Sequence, residues 1–267
     1  MKIFVNGCSH TDGTKLSTPK DLTWPSLLKQ QGYEVCDESR AGCSNARIKR
    51  STMENVLRHE MLDIDLAIIQ FTDATRLEVP KGGSGLSPYC NPHPEYEQII
   101  PKVHNVFGQG YENLAHNNFH TPFCQEHFRF PKQRALMDFT LLTDIIALQS
   151  FFRDLNIDYI FMLWWPWHDK NFWQNPGAMR MWQAIDTSRI INADEKSLWH
   201  MDKVVKDRGF KMSMKKHKDG LPDYHFMPNA HQWLAEAVEN FMNNGEKVKF
   251  LNTDNGFDYN FIFPELK

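Results

Sequence analysis

Three apolar runs in this chain are continuous where a half-buried strand would alternate: Lys2–Asn6, Asp65–Phe71 and Asp158–Trp164. A strand with one wet face reads apolar, polar, apolar. A strand that is apolar throughout needs cover on both faces, which is the condition of a parallel sheet sandwiched between helices. The intervening segments supply that cover. Trp24-Pro25-Ser26-Leu27-Leu28 opens a helix, with Pro25 tolerated in the first turn, and Gly32 closes it ahead of a short strand at Tyr33–Cys36. A helix is expected from about Asn45 to Glu60, with Ile48, Met53, Val56 and Leu57 at helical spacing. A long helix follows from about Lys132 to Leu155. A last one runs from Pro228 to Met242 and places Leu234, Ala237, Val238 and Phe241 on one face. Strand and helix alternate, so the chain reads as α/β with a parallel sheet and helices on both faces.

The 267 residues are 41% hydrophobic, enough for one sizeable core, and one α/β domain over 1–244 is expected. Two segments depart from the alternation. Residues from about 74 to 131 carry the Gly- and Pro-punctuated KGGSGLSPYCNPHP and then a stretch rich in Asn, His and Phe; this insertion after the third strand, Asp65–Phe71, reads as a lid over the site. The tail 245–267 has alternating pieces such as Lys247-Val248-Lys249-Phe250-Leu251. It is expected to add an edge strand or to contact a neighbouring subunit in a homo-oligomer.

Net charge is −3, from 30 basic and 33 acidic side chains, so no broad positive field marks the chain as a nucleic-acid binder. The apolar N-terminal run is shorter than a signal-peptide core, and no window approaches the roughly 18 apolar residues of a membrane span. A soluble, cytoplasmic protein without a membrane partner is expected. The five cysteines, Cys8, Cys36, Cys43, Cys90 and Cys124, are odd in number, widely spaced and without a CxxC, which suits reduced thiols. His116 and His120 have the i, i+4 spacing that puts two imidazoles on one helix face, but no further ligands accompany them. No metal and no organic cofactor is expected.

Ligands of open α/β sheets bind beyond the carboxyl ends of the strands. Gly7-Cys8-Ser9-His10 stands at the end of the first strand, Thr72-Asp73 at the end of the third, and Trp164-Trp165-Pro166 at the end of a later one. Asp223-Tyr224-His225-Phe226-Met227-Pro228-Asn229-Ala230-His231 leads into the last helix. An Asp and a His two residues apart in a turn can face one another, the carboxylate fixing the imidazole tautomer. With Ser9 they supply a hydrolytic triad in the chain order Ser, Asp, His. A serine after a strand is by itself an ordinary turn residue; its weight here comes from the company it keeps.

These blocks resemble the SGNH (GDSL-like) hydrolase family. Gly7-Cys8-Ser9 looks like the family's Gly-Asp-Ser nucleophile block, with Cys8 in place of Asp. Ala41-Gly42-Cys43-Ser44-Asn45 looks like the block whose glycine gives an oxyanion-hole amide. Gln70-Phe71-Thr72-Asp73 sits where the family has Gly-x-Asn-Asp, and Asp223 to His231 looks like the Asp-x-x-His block, here with one residue fewer between Asp and His. The blocks fall in family order over most of the chain. The resemblance implies a flavodoxin-like three-layer α/β/α sandwich with a central parallel sheet. It implies a serine esterase with Ser9 as nucleophile, His225 as base and Asp223 as its orienting carboxylate. Ser9 and Gly42, with Thr72 or Asn45, would form the oxyanion hole. His10, Asp73, Arg76 and Trp165 are the expected substrate contacts. A small acyl ester is the implied substrate, with an O-acetylated carbohydrate suggested by family habit and by the aromatic stretch LWWPWHDKNFW at 163–173. The alternative is the same fold as a non-catalytic binding or structural module, for example in a phage particle, which would place the protein in a virion.

Overall fold

The structure, a computed structural model, describes residues 1–13, 18–41, 43–58, 63–74, 77–80, 96–99, 131–164, 174–194, 197–211, 213, 225–249 and 260–262. Four parallel strands form the central sheet: β1 (Lys2–Asn6), β2 (Glu34–Asp37), β3 (Leu66–Phe71) and, from later in the chain, Asp158–Leu163. Short antiparallel strands β4 (Leu77–Pro80) and β5 (Tyr96–Ile99) lie inside the segment read as an insertion, so Asp158–Leu163 is β6. The sheet order is β2-β1-β3-β6.

The continuous apolar runs are explained by burial on both faces. Phe4, Ala67, Ile69, Phe71, Tyr159, Phe161 and Leu163 point into one core. Helices α3 (Asn45–Val56), α4 (Pro131–Asp154) and α5 (Pro176–Gln183) close that core with Ile48, Leu141, Ile145, Leu148, Phe152 and Trp182. The alternate strand residues Ile3, Val5, Leu66, Ile68, Ile160 and Met162 point the other way. There they meet Trp24 and Leu28 of α2 (Trp24–Gln30), Val204 and Val205 of α6 (Met201–Asp207), and Leu234, Val238 and Phe241 of α7 (Pro228–Asn244). Adjacent residues on a strand face opposite sides, so both parities must be apolar when both sides are covered. The result is a three-layer α/β/α sandwich.

Local signals set the helix boundaries. The Ser44 hydroxyl accepts from the Arg47 amide at the start of α3, and Asn175 accepts from Gly177 at the start of α5. Pro25 and Pro228 sit in first turns, where a missing N–H costs nothing. Gly245, at φ 68°, ends α7 in the left-handed conformation. Helix α3 and the segment 190–222 differ from expectation. Helix α3 stops at Val56, and Leu57, which the spacing put on the buried face, is exposed. The last turn tightens there, with the Arg58 amide bonding to Asn55 three residues back, and this swings Leu57 away from the core. The segment 190–222, which shows no single pattern in the sequence, carries β7 (Ser197–Trp199) and α6.

Beside β6 the chain runs parallel at Ile190. The Ile191 amide donates to Phe161, and Asn192 clamps the strand end through Leu163 N, Leu163 O and Trp199 O. In the tail, Val248 is buried and its amide donates to Ile191, and β8 (Asn260–Ile262) pairs antiparallel with β7, apart from the four-stranded sheet. Among the described residues no helix is long and apolar enough to cross a membrane.

Candidate active site

The chain runs from β1 outward to β2, then returns across β1 to β3 and on to β6. The winding direction therefore reverses between β1 and β3, and the crevice at their carboxyl ends is where such sheets bind ligands. Register brings two candidates there. Asn6 pairs with Ile69, so Ser9 and Thr72 each lie three residues beyond a paired position. On the far side of β3, Phe71 pairs with Leu163 and the Trp164 amide donates to the Phe71 carbonyl (3.1 Å), which sets Trp164 beside Thr72.

The chain leaves β1 as a single helical turn, α1 (Ser9–Asp12), where the sequence suggests only a turn and loop. The Cys8 carbonyl accepts from both Thr11 N–H and Asp12 N–H at 2.9 Å. Gly13, at φ 73°, ends the turn in a conformation that favours glycine. Ser9 is the first residue of this turn and is 4% exposed. The side chain of Gln70, wholly buried in β3, receives the Cys8 amide (3.1 Å), the Cys8 thiol (3.2 Å) and the Thr11 hydroxyl (3.0 Å) on its Oε1. Gly7 leaves the room for it. A methyl group there would stand 2.6 Å from Thr11 Oγ1 and 3.0 Å from both Cβ and Oε1 of Gln70.

The loop after β2 is drawn onto the same turn. The Arg40 amide donates to the Gly7 carbonyl (3.0 Å), and the Ala41 amide donates to Asp12 Oδ2 (3.0 Å). Lys20 ties Asp12 to Asp37, at 2.6 and 2.7 Å. Asn45, at the start of α3, holds the Thr72 peptide from both sides: its Oδ1 accepts from Thr72 N–H (2.8 Å) and its Nδ2 donates to Thr72 C=O (3.1 Å). The Thr72 side chain, 1% exposed, keeps its hydroxyl without a hydrogen-bond partner among the described residues. A buried hydroxyl in that condition is uncommon enough to need a reason.

The imidazoles come from both ends of the chain. His10 stacks on Trp164, ring centroids 4.2 Å apart and planes 19° from parallel. The His225 ring lies 5.1 Å from that of His10, centroid to centroid, and Phe226 packs against both His10 and Trp164. The Thr18 hydroxyl donates to the Phe226 carbonyl (2.7 Å) and the Ser213 amide to the His225 carbonyl (2.7 Å), which fixes the backbone before α7. His231, one turn into α7 and 1% exposed, accepts from the Trp24 amide on Nδ1 (3.3 Å). That bond leaves its proton on Nε2. Burial, reinforced by the nearby His225, lowers its pKa to about 4, so His231 stays neutral at ordinary pH.

Of the residues expected in the site, Ser9, His10, Thr72, Asn45 and His225 gather at the strand ends, and Asp73, half-buried, follows Thr72. Asp223, Gly42, Arg76 and Trp165 lie outside the described residues, as do His116 and His120. Among the described residues no group of three or more His, Cys, Asp or Glu side chains could hold a metal ion. The sequence places Gln70 at the head of the third block, at the end of a buried strand, and assigns it no role. The signal was there: a carboxamide inside an apolar run must find buried partners.

Fold and site together define an open α/β protein with a serine-bearing turn at its switch point and a histidine from the last helix's approach beside it. No family model matches the chain, and no curated protein matches it in sequence. Among solved structures the chain is similar to TesA, at 12% identity and a TM-score of 0.46, covering 92% of this chain and 99% of that one. It is similar to the psychrotrophic esterase EstA from Pseudoalteromonas sp. (12% identity, TM-score 0.43, 91% and 99% covered). It is also similar to the lipase Lip_vut3 from a goat rumen metagenome (8% identity, TM-score 0.45, 93% and 100% covered).

Proposed function

We propose that the chain is a serine ester hydrolase of SGNH type. The observation that carries this reading is the approach of His225 to the turn that begins with Ser9, seen in the 5.1 Å separation of the His225 and His10 rings. Nucleophilic catalysis needs a base within reach of the serine, and His225 is drawn from about 215 residues away to the turn on which Ser9 stands.

In the proposed reaction His225 accepts the Ser9 hydroxyl proton as Oγ bonds to the ester carbonyl carbon. The tetrahedral oxyanion is held by the amides of Ser9 and Gly42 and by the Thr72 hydroxyl, which Asn45 orients through its two bonds to the Thr72 peptide. The C–O bond to the alcohol then breaks, and the alcohol leaves with the proton from His225. Water, deprotonated by His225, attacks the acyl-enzyme, releases the acid and restores Ser9. Asp223 orients His225 throughout. His10 and Trp164 form a stacked wall beside the nucleophile; with Asp73, Arg76 and Trp165 they would receive the substrate. The proposed substrate is a small acyl ester, with an O-acetylated sugar suited to the tryptophan-rich stretch at 163–173.

The test uses p-nitrophenyl acetate and a fluorophosphonate probe, with Ser9→Ala alongside. Turnover and labelling at Ser9, both lost in the variant, are expected. A folded protein that neither turns over the ester nor labels at Ser9 would overturn the reading in favour of a non-catalytic module of the same fold.

A further inference from the structure

We propose that Gln70 is a positioning residue for Ser9: from β3 it fixes the helical turn on which the nucleophile stands. The proposal rests on the esterase reading above and adds to it the device that aims the serine.

Cys8 lies past the end of β1 and ahead of α1, so neither the sheet nor the helical turn offers its N–H a carbonyl. Buried and unpaired, that group would forfeit the hydrogen bond it makes with water in the unfolded chain. Gln70 Oε1 receives it at 3.1 Å, and takes the Thr11 hydroxyl at 3.0 Å from the next turn of backbone. The two donors flank Ser9 in sequence, so a single oxygen holds the chain on either side of the proposed nucleophile. The Cys8 thiol bonds to the same oxygen at 3.2 Å, which turns that side chain away from any role beside Ser9. The other end of the carboxamide is committed as well, with Nε2 donating to the Phe71 carbonyl (2.5 Å). With donor and acceptor ends both engaged, the amide plane cannot rotate. Gly7 completes the unit, because any side chain there would collide with both Gln70 and Thr11.

This geometry distinguishes Gln70 from an ordinary buried polar residue. Its partners are the groups that decide where the backbone turns out of β1 and hence where Ser9 Oγ points. A shift of about 1 Å in such a group costs on the order of 10²-fold in rate.

The experiment compares Gln70→Leu, Gln70→Glu and Thr11→Val with the wild type. Three quantities are read on folded protein: hydrogen exchange of the peptide spanning Gly7 to Gly13, the rate of fluorophosphonate labelling of Ser9, and kcat and KM for p-nitrophenyl acetate across pH. Gln70→Leu is expected to speed exchange in that peptide while the rest of β1 and β3 stays protected. Labelling and kcat should fall together by about 10²-fold, with KM little changed. Thr11→Val removes one of the bonds and should show a smaller change in the same direction. Gln70→Glu carries the sharper signature. Protonated, its carboxyl keeps an acceptor oxygen for Cys8 and Thr11 and a donor for the Phe71 carbonyl. Ionised, it sets an oxygen anion against that carbonyl. The rate of Gln70→Glu relative to wild type should approach unity at low pH and fall as pH rises, whereas a residue that serves packing alone would leave the ratio per folded molecule flat.

Wild-type exchange and labelling in folded Gln70→Leu would overturn the proposal, as would a pH-independent ratio in Gln70→Glu. If Gln70→Leu does not fold, Gln70→Glu and Thr11→Val decide. If the wild type itself does not label, the esterase reading falls; the exchange measurement then still shows whether Gln70 holds the turn, and the positioning role for catalysis falls with the reading.

Discussion

On the β1 side of the site, Gln70 and Asn45 commit both ends of their amides to directional bonds with the Ser9 turn, the Phe71 carbonyl and the Thr72 backbone. On the α7 side, His225 and Phe226 are held by ring packing against His10 and Trp164, with two bonds to the backbone behind them. Hydrogen bonds weaken steeply with distance and angle, so the first side admits few positions for its atoms. Aromatic contacts are broader in geometry and worth about 0.5–1.5 kcal/mol each beyond area, so the ring packing on the second side is less directional. On the proposed reading, Ser9 stands on the side held by directional bonds and His225 on the side packed by rings.

The contrast can be broken most decisively at Ser9. Ser9→Ala should abolish fluorophosphonate labelling and lower ester turnover by at least about 10⁴-fold. Its urea midpoint should barely move, because the network on that side runs through Cys8, Thr11 and Gln70 and leaves the Ser9 hydroxyl out. Turnover surviving in Ser9→Ala would remove the nucleophile from the rigid side. Thr72→Val comes next. It deletes a buried hydroxyl with no partner among the described residues at nearly constant shape, so stability should hold or rise slightly. If that hydroxyl serves the oxyanion, kcat should fall by about 10²–10³-fold; an unchanged kcat would leave the oxyanion to the amides alone.

The third test concerns the α7 side and its buried imidazole. His231 has a folded-state pKa of about 4, lowered by burial and then by His225, against an ordinary 6.5. Below pH 6.5 the unfolded chain therefore binds a proton that the folded chain refuses. This stability is fully present above about pH 6.5 and is lost as pH falls towards 4, by on the order of 3 kcal/mol. Urea midpoints at pH 7 and pH 4 should show His231→Gln losing less on acidification than the wild type; equal losses would mean that His231 takes up its proton without unfolding. The smallest expected effect is Gly7→Ala, which overpacks the Gln70–Thr11 unit and should cost about 1–3 kcal/mol in denaturant unfolding. Adding Thr11→Ala should recover only part of that loss, since the Gln70 contacts remain. Full recovery would assign the crowding to Thr11 alone.

Much of the architecture was legible because burial on both faces leaves a plain trace. β3 and β6 read as continuous apolar runs, α4 as a long helix, and α7 as a stripe after a proline. The turn Ser9–Asp12 was not legible as helix. Four residues have too little local preference to specify a helical turn, and what holds it there is Gln70, 59 residues beyond Thr11. Leu57 shows the same limit from the other side, since its spacing matched the buried face until the last turn of α3 tightened. Within the site, Ser9 and His225 could be chosen by residue type and position in the βα order. Asn45 was read as an oxyanion donor from its block, and the structure places both ends of its amide on Thr72. Neither that bond pair nor the Gln70 bonds has a local pattern, because each joins segments far apart in the chain.

The sequence by itself determined the layers, the parallel sense of the strands and the residue types at the strand ends, since hydrophobic periodicity and chain connectivity are local properties. Only the tertiary structure decided what the side chains of Gly7-Cys8-Ser9-His10 touch. Gln70 draws the Cys8 thiol inward, Trp164 holds the His10 ring face to face, and Ser9 is the one that neither contact takes up. The physical reason is that hydrogen-bond partners and stacking surfaces come from strands and helices remote in sequence, and folding alone brings them within reach.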